Sequence, residues 1–404
     1  MKGKRLLAGI VTMILCLAIS LSATGEIQQH NTENNGKLKE TFWTDENGQP
    51  AAGPEGYASV KYTYKGPDAF EFYYDTEGEP FETDGGYYGR RIQRDGKKRI
   101  TEIEYLDEDG KRTENALGYA QVLTAYTGFG ELRQVSYYGA NKKPVTVPSL
   151  GYASMLIEFS GKTMTSVTFR DTKGNPVDSA DGYAVMKQKI DKKKKNQVVS
   201  IRYDHADGTP ATGPDGWFRC VKDRDDNGRL LSVKYYDVNM QQTDRGAGYA
   251  WEGYAWEGDS SVNITRYDLN GMPVEDAAGI VTTVREMRED AVIKECFLDT
   301  DGRRINNGLG VGEILYGYDE EGALATVSYR DTDGNPALCT GGYAGYRDEK
   351  NGEGVTVSRV FLGTDGLATE TSGGYSEIRY LYDAAGQLSE IQYYDLNGKQ
   401  IQIK

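Results

Sequence analysis

The chain has 404 residues, including 50 glycines and 30 tyrosines, the latter three times as numerous as the 10 phenylalanines. Hydrophobic residues make up 38%, and glycine plus proline only about 15%, so the composition excludes a disordered or collagen-like chain. The net charge of −14 argues against a nucleic-acid-binding protein, because such a protein needs a basic surface to displace counterions. Two histidines, His30 and His205, leave little material for zinc or acid–base chemistry.

The first 25 residues are predicted to be a secretory signal peptide. The first five carry three basic side chains, and residues 6–21 are uncharged and mostly apolar, a stretch too short to favour a spanning helix. Ala23 and Gly25 are small residues at the positions that a signal peptidase accepts before a cut at Glu26. We therefore expect a secreted or cell-surface protein with no membrane span in the mature chain. The alternative is an uncleaved N-terminal anchor.

Residues 26–42 are polar and are predicted to be a linker or a cap, with the rest of the chain, 43–404, forming one repeat array. The mature chain keeps three cysteines, Cys220, Cys296 and Cys339. Their odd number and unpaired spacing predict no disulfide framework, and one disulfide with a spare thiol stays open as an alternative. Stability must therefore come from packing.

Two independent sequence markers recur with the same period. The first is a Gly-Tyr-Ala motif or a relative of it, and the second is a turn glycine that usually follows an aspartate three residues earlier. Together they predict about eleven tandem repeats of about 32 residues. The first marker falls at Tyr57, Tyr87, Tyr119, Tyr152, Tyr183, Trp217, Tyr249, Ile280, Val311, Tyr343 and Tyr375. The turn glycine is replaced at two positions, by Lys142 and Met240.

Each repeat is predicted to be a β-hairpin followed by a longer link. Within a repeat, Ile100, Ile103 and Tyr105 show the recurring frame of two apolar residues and an aromatic one. The last two share one face of a strand, and the offset of three before them predicts a bulge or the beginning of a strand. Asp-x-x-Gly then closes a tight turn. A single hairpin cannot bury enough surface, so the fold class is predicted to be all-β, with hairpin repeats stacked in an elongated or spiral solenoid.

The hairpin sequence also carries a family resemblance. The run Tyr-Asp-x-x-Gly-x-Leu at the start of 382–393, echoed in 318–329, resembles the YD (RHS) repeats of bacterial surface and toxin proteins. The resemblance implies hairpins that wind into a spiral β shell. The aromatic hairpins are also similar, more weakly, to the choline- and glucan-binding repeats of Gram-positive surface proteins, which depend on tryptophan pairs.

One local anomaly predicts a binding site. The segment 248–258 repeats Gly-Tyr-Ala-Trp-Glu-Gly within a single unit and brings together Tyr249, Trp251, Tyr254 and Trp256. Exposed aromatic rings of this kind form platforms for sugar rings or for a partner protein. The alternative is a duplicated loop that packs on the array.

Two charged segments have ordinary explanations as hairpin turns. Asp223, Asp225 and Asn227 match the first, third and fifth positions of a calcium-binding loop, but Lys234 stands where the bidentate glutamate is required. A plain turn is therefore predicted, with a weak calcium site as the alternative, and no cofactor is expected. The lysine run 192–195 predicts a solvated hairpin tip, with contact to an anionic polymer such as teichoic acid as the alternative.

These patterns favour an exported, non-catalytic binding or adhesion scaffold at the bacterial cell envelope. Many weak aromatic and carboxylate contacts would add up through avidity. The expected partners are cell-wall polysaccharide, a host glycan or an envelope protein. A spacer that holds another chain without a ligand of its own is the alternative. An envelope glycoside hydrolase is less favoured, because no repeat departs from the others in a way that marks two catalytic carboxylates.

Overall fold

The computed structural model describes residues 27–34, 36–53, 55–192, 197–244, 248–351, 354–382 and 388–402. This part of the chain forms 25 antiparallel β-strands and contains no helix, hence none long and apolar enough to cross a membrane. The chain divides into a first unit, Met1–Lys187 with Tyr203–Ala211, and a second unit, Gln188–Arg202 with Thr212–Lys404. The predicted all-β fold class is confirmed. The predicted signal peptide and most of the lysine run lie outside the described residues.

Ten strands lie wholly in the first unit. They are β1 Gln28–Asn34, β2 Lys37–Thr44, β3 Ser59–Lys65, β4 Asp68–Tyr74, β5 Gly89–Arg94, β6 Ile100–Leu106, β7 Gln121–Tyr126, β8 Leu132–Tyr138, β9 Ser154–Ser160 and β10 Thr163–Arg170. Two more strands, β11 Val185–Asp191 and β12 Gln197–Asp204, contribute residues to both units.

The remaining strands lie in the second unit. They are β13 Arg219–Arg224, β14 Leu230–Tyr236, β15 Trp251–Glu257, β16 Ser261–Tyr267, β17 Thr282–Arg288, β18 Ala291–Leu298, β19 Glu313–Tyr318, β20 Leu324–Arg330, β21 Gly345–Lys350, β22 Thr356–Leu362, β23 Glu377–Tyr382, β24 Leu388–Tyr394 and β25 Gln400–Ile401.

The strands β3 to β24 follow the eleven predicted repeats, two strands to a repeat. Within a unit each strand pairs with its neighbours in the sequence, as β5 does with β6 and β6 with β7. The segment predicted to be a linker or cap contains a further hairpin, in which β1 pairs with β2 from Gln28 opposite Thr44 to Asn34 opposite Lys37.

Two kinds of turn alternate along the chain. The first turn joins the two strands of a hairpin, and the second turn follows the hairpin and leads into the link. In a typical second turn the Gly48 amide donates to the Asp45 carbonyl over 3.0 Å, and the Asp45 amide donates to the Gln49 carbonyl over 2.9 Å. Gly48 has a φ of 76°, and Lys142 and Met240 keep φ values of 64° and 62° where glycine is replaced. The turn geometry is therefore retained without the residue that favours it.

The offset of three in the sequence frame is a β-bulge. In β6, Ile100 lies opposite Arg94 and Glu102 opposite Gln93, so Thr101 is the extra residue. The same bulge recurs in β8, where Arg133 is extra, and in several later hairpins. There the extra residues are Thr165, Leu231, Ile293, Ala325 and Val357.

The core of the first unit is an uninterrupted ladder of aromatic rings. It takes one ring from the end of each even-numbered strand and one from the link that follows. Neighbouring ring centroids are 4.6–6.2 Å apart, the range in which aromatic pairs attract each other. The ladder consists of Trp43, Tyr57, Tyr73, Tyr87, Tyr105, Tyr119, Tyr137, Tyr152, Phe169, Tyr183 and Tyr203.

The corresponding ladder of the second unit is interrupted. It runs through Trp217, Tyr235 and Tyr249 and resumes at Tyr329, Tyr343, Phe361, Tyr375 and Tyr393. The four ladder positions in between hold Arg266, Ile280, Phe297 and Val311. Ile280, Phe297 and Val311 are buried and pack in one hydrophobic cluster, so apolar packing replaces ring contacts there.

Candidate functional site

The predicted aromatic platform is split by the alternation of β15. Trp251 begins this strand and stacks on Tyr267, with ring centroids 3.9 Å apart and planes 11° from parallel. The ammonium of Lys234, on the neighbouring strand, lies 5.8 Å from the Trp251 ring. Trp251 is half-buried, and one face of its indole is covered by a partner from its own hairpin.

Tyr254 and Trp256 project to the opposite side of β15 from Trp251, because side chains alternate along a strand. The phenols of Tyr249 and Tyr254 both donate to the Glu252 carboxylate over 2.9 Å. The indole of Trp256 donates to the Leu230 carbonyl over 2.8 Å. Burial, followed by the Glu252 charge, raises the pKa of Tyr254. The four predicted residues therefore do not form one surface, and ligand binding by them stays a prediction.

The segment that matches part of a calcium-binding loop is the first turn between β13 and β14. Asp225 binds Arg229 within this turn, accepting the side-chain Nε over 2.7 Å and the backbone amide over 2.8 Å. Asp223 accepts a hydrogen bond from the Ser232 hydroxyl over 2.7 Å, and Asn227 is exposed at the tip. Both carboxylates thus already bind groups of their own hairpin. In the described part of the chain, no three His, Cys, Asp or Glu side chains group as metal ligands.

The histidine and cysteine side chains, which could be reactive, occupy structural positions. His205 replaces the usual aspartate of a second turn, and its Nδ1 lies 2.7 Å from the Asp178 carboxylate. Cys220, Cys296 and Cys339 are buried, and no disulfide joins them within the described residues. Burial raises the pKa of the Cys296 thiol, which disfavours the reactive thiolate.

An open groove lies between two first turns of the first unit. Its volume is about 460 Å³, and it is lined by the turn that joins β7 to β8 and by the end of β9. Phe129 stands at this groove with 68% of its surface exposed, and Leu156 and Phe159 provide further apolar lining. A groove of this size can accept a small organic group or a sugar unit.

The local backbone explains why Phe129 and Arg133 reach the groove. Phe129 is a central residue of a tight turn in which the Gly130 amide donates to the Thr127 carbonyl over 3.0 Å, so its ring points away from the strands. Gly130 has a φ of 95°, a conformation that suits glycine. Arg133 is the extra residue of the β8 bulge, and bulges redirect side chains. It is exposed and lines the same groove.

Exposed cations lie in the first turns on either side of the groove. Lys97 and Lys98 lie in the preceding first turn, and Lys162 lies in the following one. Within the described residues, neither these lysines nor Arg133 form an ion pair. The carboxylate of Asp95, in the turn with Lys97, is bound by Arg99 over 2.5 Å.

The acidic groups near the groove are few. Hydrogen bonds from Arg99 hold the pKa of Asp95 below its usual range. Glu131 is half-buried in the Phe129 turn, and Glu158 lines the groove while accepting the Ser166 hydroxyl over 2.6 Å. Counted over the groove and the two flanking turns, cations therefore outnumber carboxylates.

Comparison of equivalent positions in the repeats distinguishes this site in the sequence. Three other first turns place Lys97, Asn227 and Glu321 where the β7–β8 turn has Phe129. Where β8 has Arg133, the β2 bulge has Lys39, and the bulges of the later described strands have uncharged residues. The phenylalanine at a turn tip is therefore the departure that marks this repeat, and the prediction of a turn at this position does not reveal it.

Comparisons with known proteins give low overall similarity. No protein-family model matches the chain, and neither does any curated protein. Among solved structures, the chain is similar to a Tc holotoxin pore from Photorhabdus luminescens carrying the TccC3-D651A mutation, with 11% identity, a TM-score of 0.26, and coverage of 91% of this chain and 21% of that one. A TcdB2–TccC3–TEV structure matches with 10% identity, a TM-score of 0.25, and coverage of 93% and 22%.

A third solved structure, alternansucrase in complex with isomaltononaose, matches with 15% identity, a TM-score of 0.14, and coverage of 61% of this chain and 18% of that one. The chain thus spans about a fifth of the length of the solved chains it matches. The function proposed below does not rest on these similarities.

Proposed function

We propose that the chain is a non-catalytic repeat scaffold that binds polysaccharide at the bacterial cell envelope, with the groove beside Phe129 as its main contact. The observation that carries this proposal is the 68% exposure of the Phe129 ring at an open groove of about 460 Å³. An isolated exposed ring costs hydration free energy, and sugar rings present C–H faces that pack on aromatic side chains. The proposal also assigns the protein to the outside of the cell, which the predicted signal peptide supports.

The scaffold separates the binding residues from those that hold the fold. The aromatic ladder lies at the ends of the even-numbered strands and in the links, where rings such as Tyr137 are only 4% exposed. The turn tips that carry Phe129 and Lys162 contribute no ring to this ladder. A tip residue can therefore change to suit a ligand at little cost in stability.

A retention assay with the full-length chain tests this proposal. The protein is incubated with insoluble cell-wall polysaccharide, with mucin and with purified envelope, and the bound fraction is measured. We expect retention on at least one of the three and a fall of about tenfold in affinity for Phe129→Ala, which corresponds to one lost ring contact of about 1.4 kcal/mol. Leu367→Ala is the matched control, because Leu367 is also 68% exposed but lies in a second turn. Absence of retention on all three materials would refute the proposal.

A second role, holding a protein partner, is favoured by a different surface. Two neighbouring second turns of the second unit expose Val238, Met240, Leu269 and Met272, which are 39%, 47%, 57% and 63% exposed. Exposed apolar residues that cluster in this way are typical of protein interfaces. If this role dominates, protease treatment of the envelope and Met272→Lys will each abolish retention, whereas Phe129→Ala will not change it.

A further inference from the structure

The first turns of the first unit form a basic edge in an acidic protein. We define the first-turn edge as residues 36–37, 65–68, 94–99, 126–131 and 160–163, which are the turns that follow β1, β3, β5, β7 and β9. It carries seven lysine or arginine residues and three aspartate or glutamate residues, although the whole chain has a net charge of −14. Two of the three acids are already bound, since Asp68 lies 3.4 Å from Arg91 and Asp95 lies 2.5 Å from Arg99, which is itself one of the seven cations.

These turns lie side by side. Antiparallel pairing of neighbouring hairpins places every first turn at the same edge of the sheet, and two strand spacings separate consecutive turns by about 10 Å. The contacts agree with this arrangement: the Arg99 guanidinium lies 4.4 Å from the Tyr126 ring centroid, and the Tyr126 hydroxyl donates to the Ile100 carbonyl over 2.8 Å. Lys97 and Lys98, the Phe129 groove, and Lys162 thus follow one another along the edge.

We propose that the polysaccharide bound here is anionic and that it lies along the first-turn edge across three consecutive hairpins. This inference rests on the function proposed above. A sugar ring packs on Phe129 in the groove, and acidic groups of flanking residues of the polymer pair with Lys97, Lys98, Arg133 and Lys162. The spacing of about 10 Å between turns is close to the length of two sugar residues, so a linear chain can meet successive turns without bending.

The state of the cations supports a ligand of opposite charge. Lys97, Lys98, Arg133 and Lys162 are exposed, and the described part of the chain offers none of them an ion pair. An exposed ion pair contributes little by itself, but four of them on one flexible polymer add through effective concentration. Binding that depends on these charges must weaken with salt, since the Debye length falls from about 10 Å at 0.1 M to about 3 Å at 1 M.

The experiment compares defined polymers with the full-length protein. Affinity electrophoresis or calorimetry is carried out with four polymers. Dextran has no acidic group, dextran sulfate carries sulfate, polygalacturonate carries carboxylate, and a glycerol-phosphate polymer carries phosphate. We expect at least tenfold tighter binding to one of the anionic polymers than to dextran, and a progressive loss between 0.1 and 1 M salt. Lys97→Glu/Lys98→Glu and Lys162→Glu should each weaken this binding at least tenfold at low salt.

Matched controls make the result specific to the edge. Lys173→Glu changes the charge by the same amount in an exposed second turn of the same unit, and it should leave binding within twofold. Equal weakening by Lys173→Glu and Lys162→Glu would show unspecific attraction and overturn the inference. Circular dichroism confirms that each variant keeps its β-structure.

The outcomes separate this inference from the proposed function. If dextran binds as tightly as the anionic polymers and only Phe129→Ala weakens binding, the polysaccharide function stands and the inference about charge is wrong. If no polymer and no envelope material binds, both fail. Tighter binding to a single-stranded oligonucleotide of equal charge than to any polysaccharide would also overturn the inference.

Discussion

The two units share one hairpin plan but differ at their turn tips. In the first unit the first-turn edge carries seven basic and three acidic residues, whereas the described turns after β13, β15, β17, β19 and β21 carry four basic and nine acidic ones. In both sets of turns a backbone hydrogen bond closes the turn, as Gly130 to Thr127 and Gly322 to Asp319 illustrate, each over 3.0 Å. The first side chain of the turn accepts a second bond, from the Glu131 amide to the Thr127 hydroxyl oxygen and from the Ala323 amide to the Asp319 carboxylate. Because the backbone and the first residue hold the turn, the remaining side chains are free to set the charge of each unit.

The cores of the two units differ as well. The first unit keeps a ring at every ladder position, and the second unit replaces one of them with Arg266, whose Nη1 lies 2.8 Å from Asp276 and whose guanidinium lies 5.4 Å from the Tyr249 ring centroid. Burial alone would raise the pKa of Asp276, but hydrogen bonds from the Ile280 amide and from Arg266 bring it below its ordinary value. A polar residue is thus accepted in the ladder when its charge is paired.

Alkaline pH should produce the largest difference between the units. Burial raises the pKa of several ladder phenols in the first unit, and that of Tyr152 to about 12. A phenol with a raised pKa in the folded state contributes stability that is complete below its unfolded pKa of about 10 and is lost as the pH rises through the folded value. For Tyr152 alone, this loss between pH 10 and 12 is on the order of 2–3 kcal/mol.

We therefore expect the first unit to unfold before the second above pH about 10. The ladder phenols with a raised pKa are Tyr57, Tyr73, Tyr105, Tyr119, Tyr137, Tyr152 and Tyr183 in the first unit, and Tyr329 and Tyr343 in the second. Digestion with an alkali-tolerant protease followed by mass spectrometry identifies which unit is cut first. Tyr152→Phe should move the transition to higher pH. Cleavage that begins in the second unit would contradict the role of the continuous ladder.

Removal of a single ladder ring should have the next largest effect. Tyr137 is 4% exposed and contacts the rings of Tyr119 and Tyr152, with centroids 5.0 and 6.2 Å away. Tyr137→Ala should lower the free energy of unfolding of the first unit by about 3–5 kcal/mol. Tyr329 lies beside the interruption and has one ring contact, with Tyr343 at 5.8 Å, among the described residues, so Tyr329→Ala should cost the second unit about 1 kcal/mol less.

Urea unfolding followed by hydrogen exchange measures the two losses separately, because it reports on protection in each unit. Tyr137→Phe retains the ring and should cost only about 1 kcal/mol, the value of one hydrogen bond. Equal losses for the two alanine variants would mean that ring–ring contacts add nothing to burial.

Loss of an ion pair should lower the stability of either unit by an intermediate amount. Glu104 accepts hydrogen bonds from Arg112 over 2.5 Å and from Arg91 over 2.9 Å. Glu313 lies farther from its cations, 3.4 Å from Lys294 and 3.5 Å from Arg304. Since short charge-assisted bonds are the stronger ones, Glu104→Ala should cost about 2 kcal/mol and Glu313→Ala about 1 kcal/mol.

Urea midpoints test this order, with Glu79→Ala as an exposed control. Burial alone would raise the pKa of Glu104, yet Arg112 and Arg91 lower it. The stability that this pair adds is therefore present above pH about 4 and is lost as the pH falls through the folded pKa. A larger loss for Glu313→Ala would show that burial outweighs bond length.

Local signals explain how much of the fold could be predicted. The Asp-x-x-Gly turn and the offset of three between Ile100 and Ile103 are decided within a few residues, and the structure shows the turn and the bulge at those positions. Strand alternation also predicts that Trp251 and Trp256 do not share a face. These residues are five apart in the sequence, and an odd separation along a strand places them on opposite faces.

The groove could not be predicted from single repeats. Whether Phe129 is buried or exposed depends on the neighbouring turn after β9, which comes 30 residues later and leaves the ring uncovered. Arg133 reaches the groove because of a bulge whose side-chain direction follows from the three-dimensional twist of the strand. Exposure and charge at the edge therefore depend on contacts between hairpins, which the pattern of one hairpin does not contain.

The smallest effect should come from the two second turns that lack glycine, one in each unit. Lys142 and Met240 hold φ values of 64° and 62°, a conformation that costs residues with a Cβ about 1 kcal/mol or more. Lys142→Gly and Met240→Gly relieve this strain, and the added flexibility of the unfolded chain offsets part of the gain. Each change should therefore stabilise its unit by about 0.5–1 kcal/mol, measured as an increase in the urea midpoint.

The gains should be equal, because both turns close with a hydrogen bond of 3.0 Å from the substituted residue. Gly174→Lys and Gly271→Met, the reverse changes in the neighbouring turns, should lose as much. A loss for Lys142→Gly alone would reveal that its side chain stabilises the first unit through its charge, and the difference between the units would then extend to the second turns.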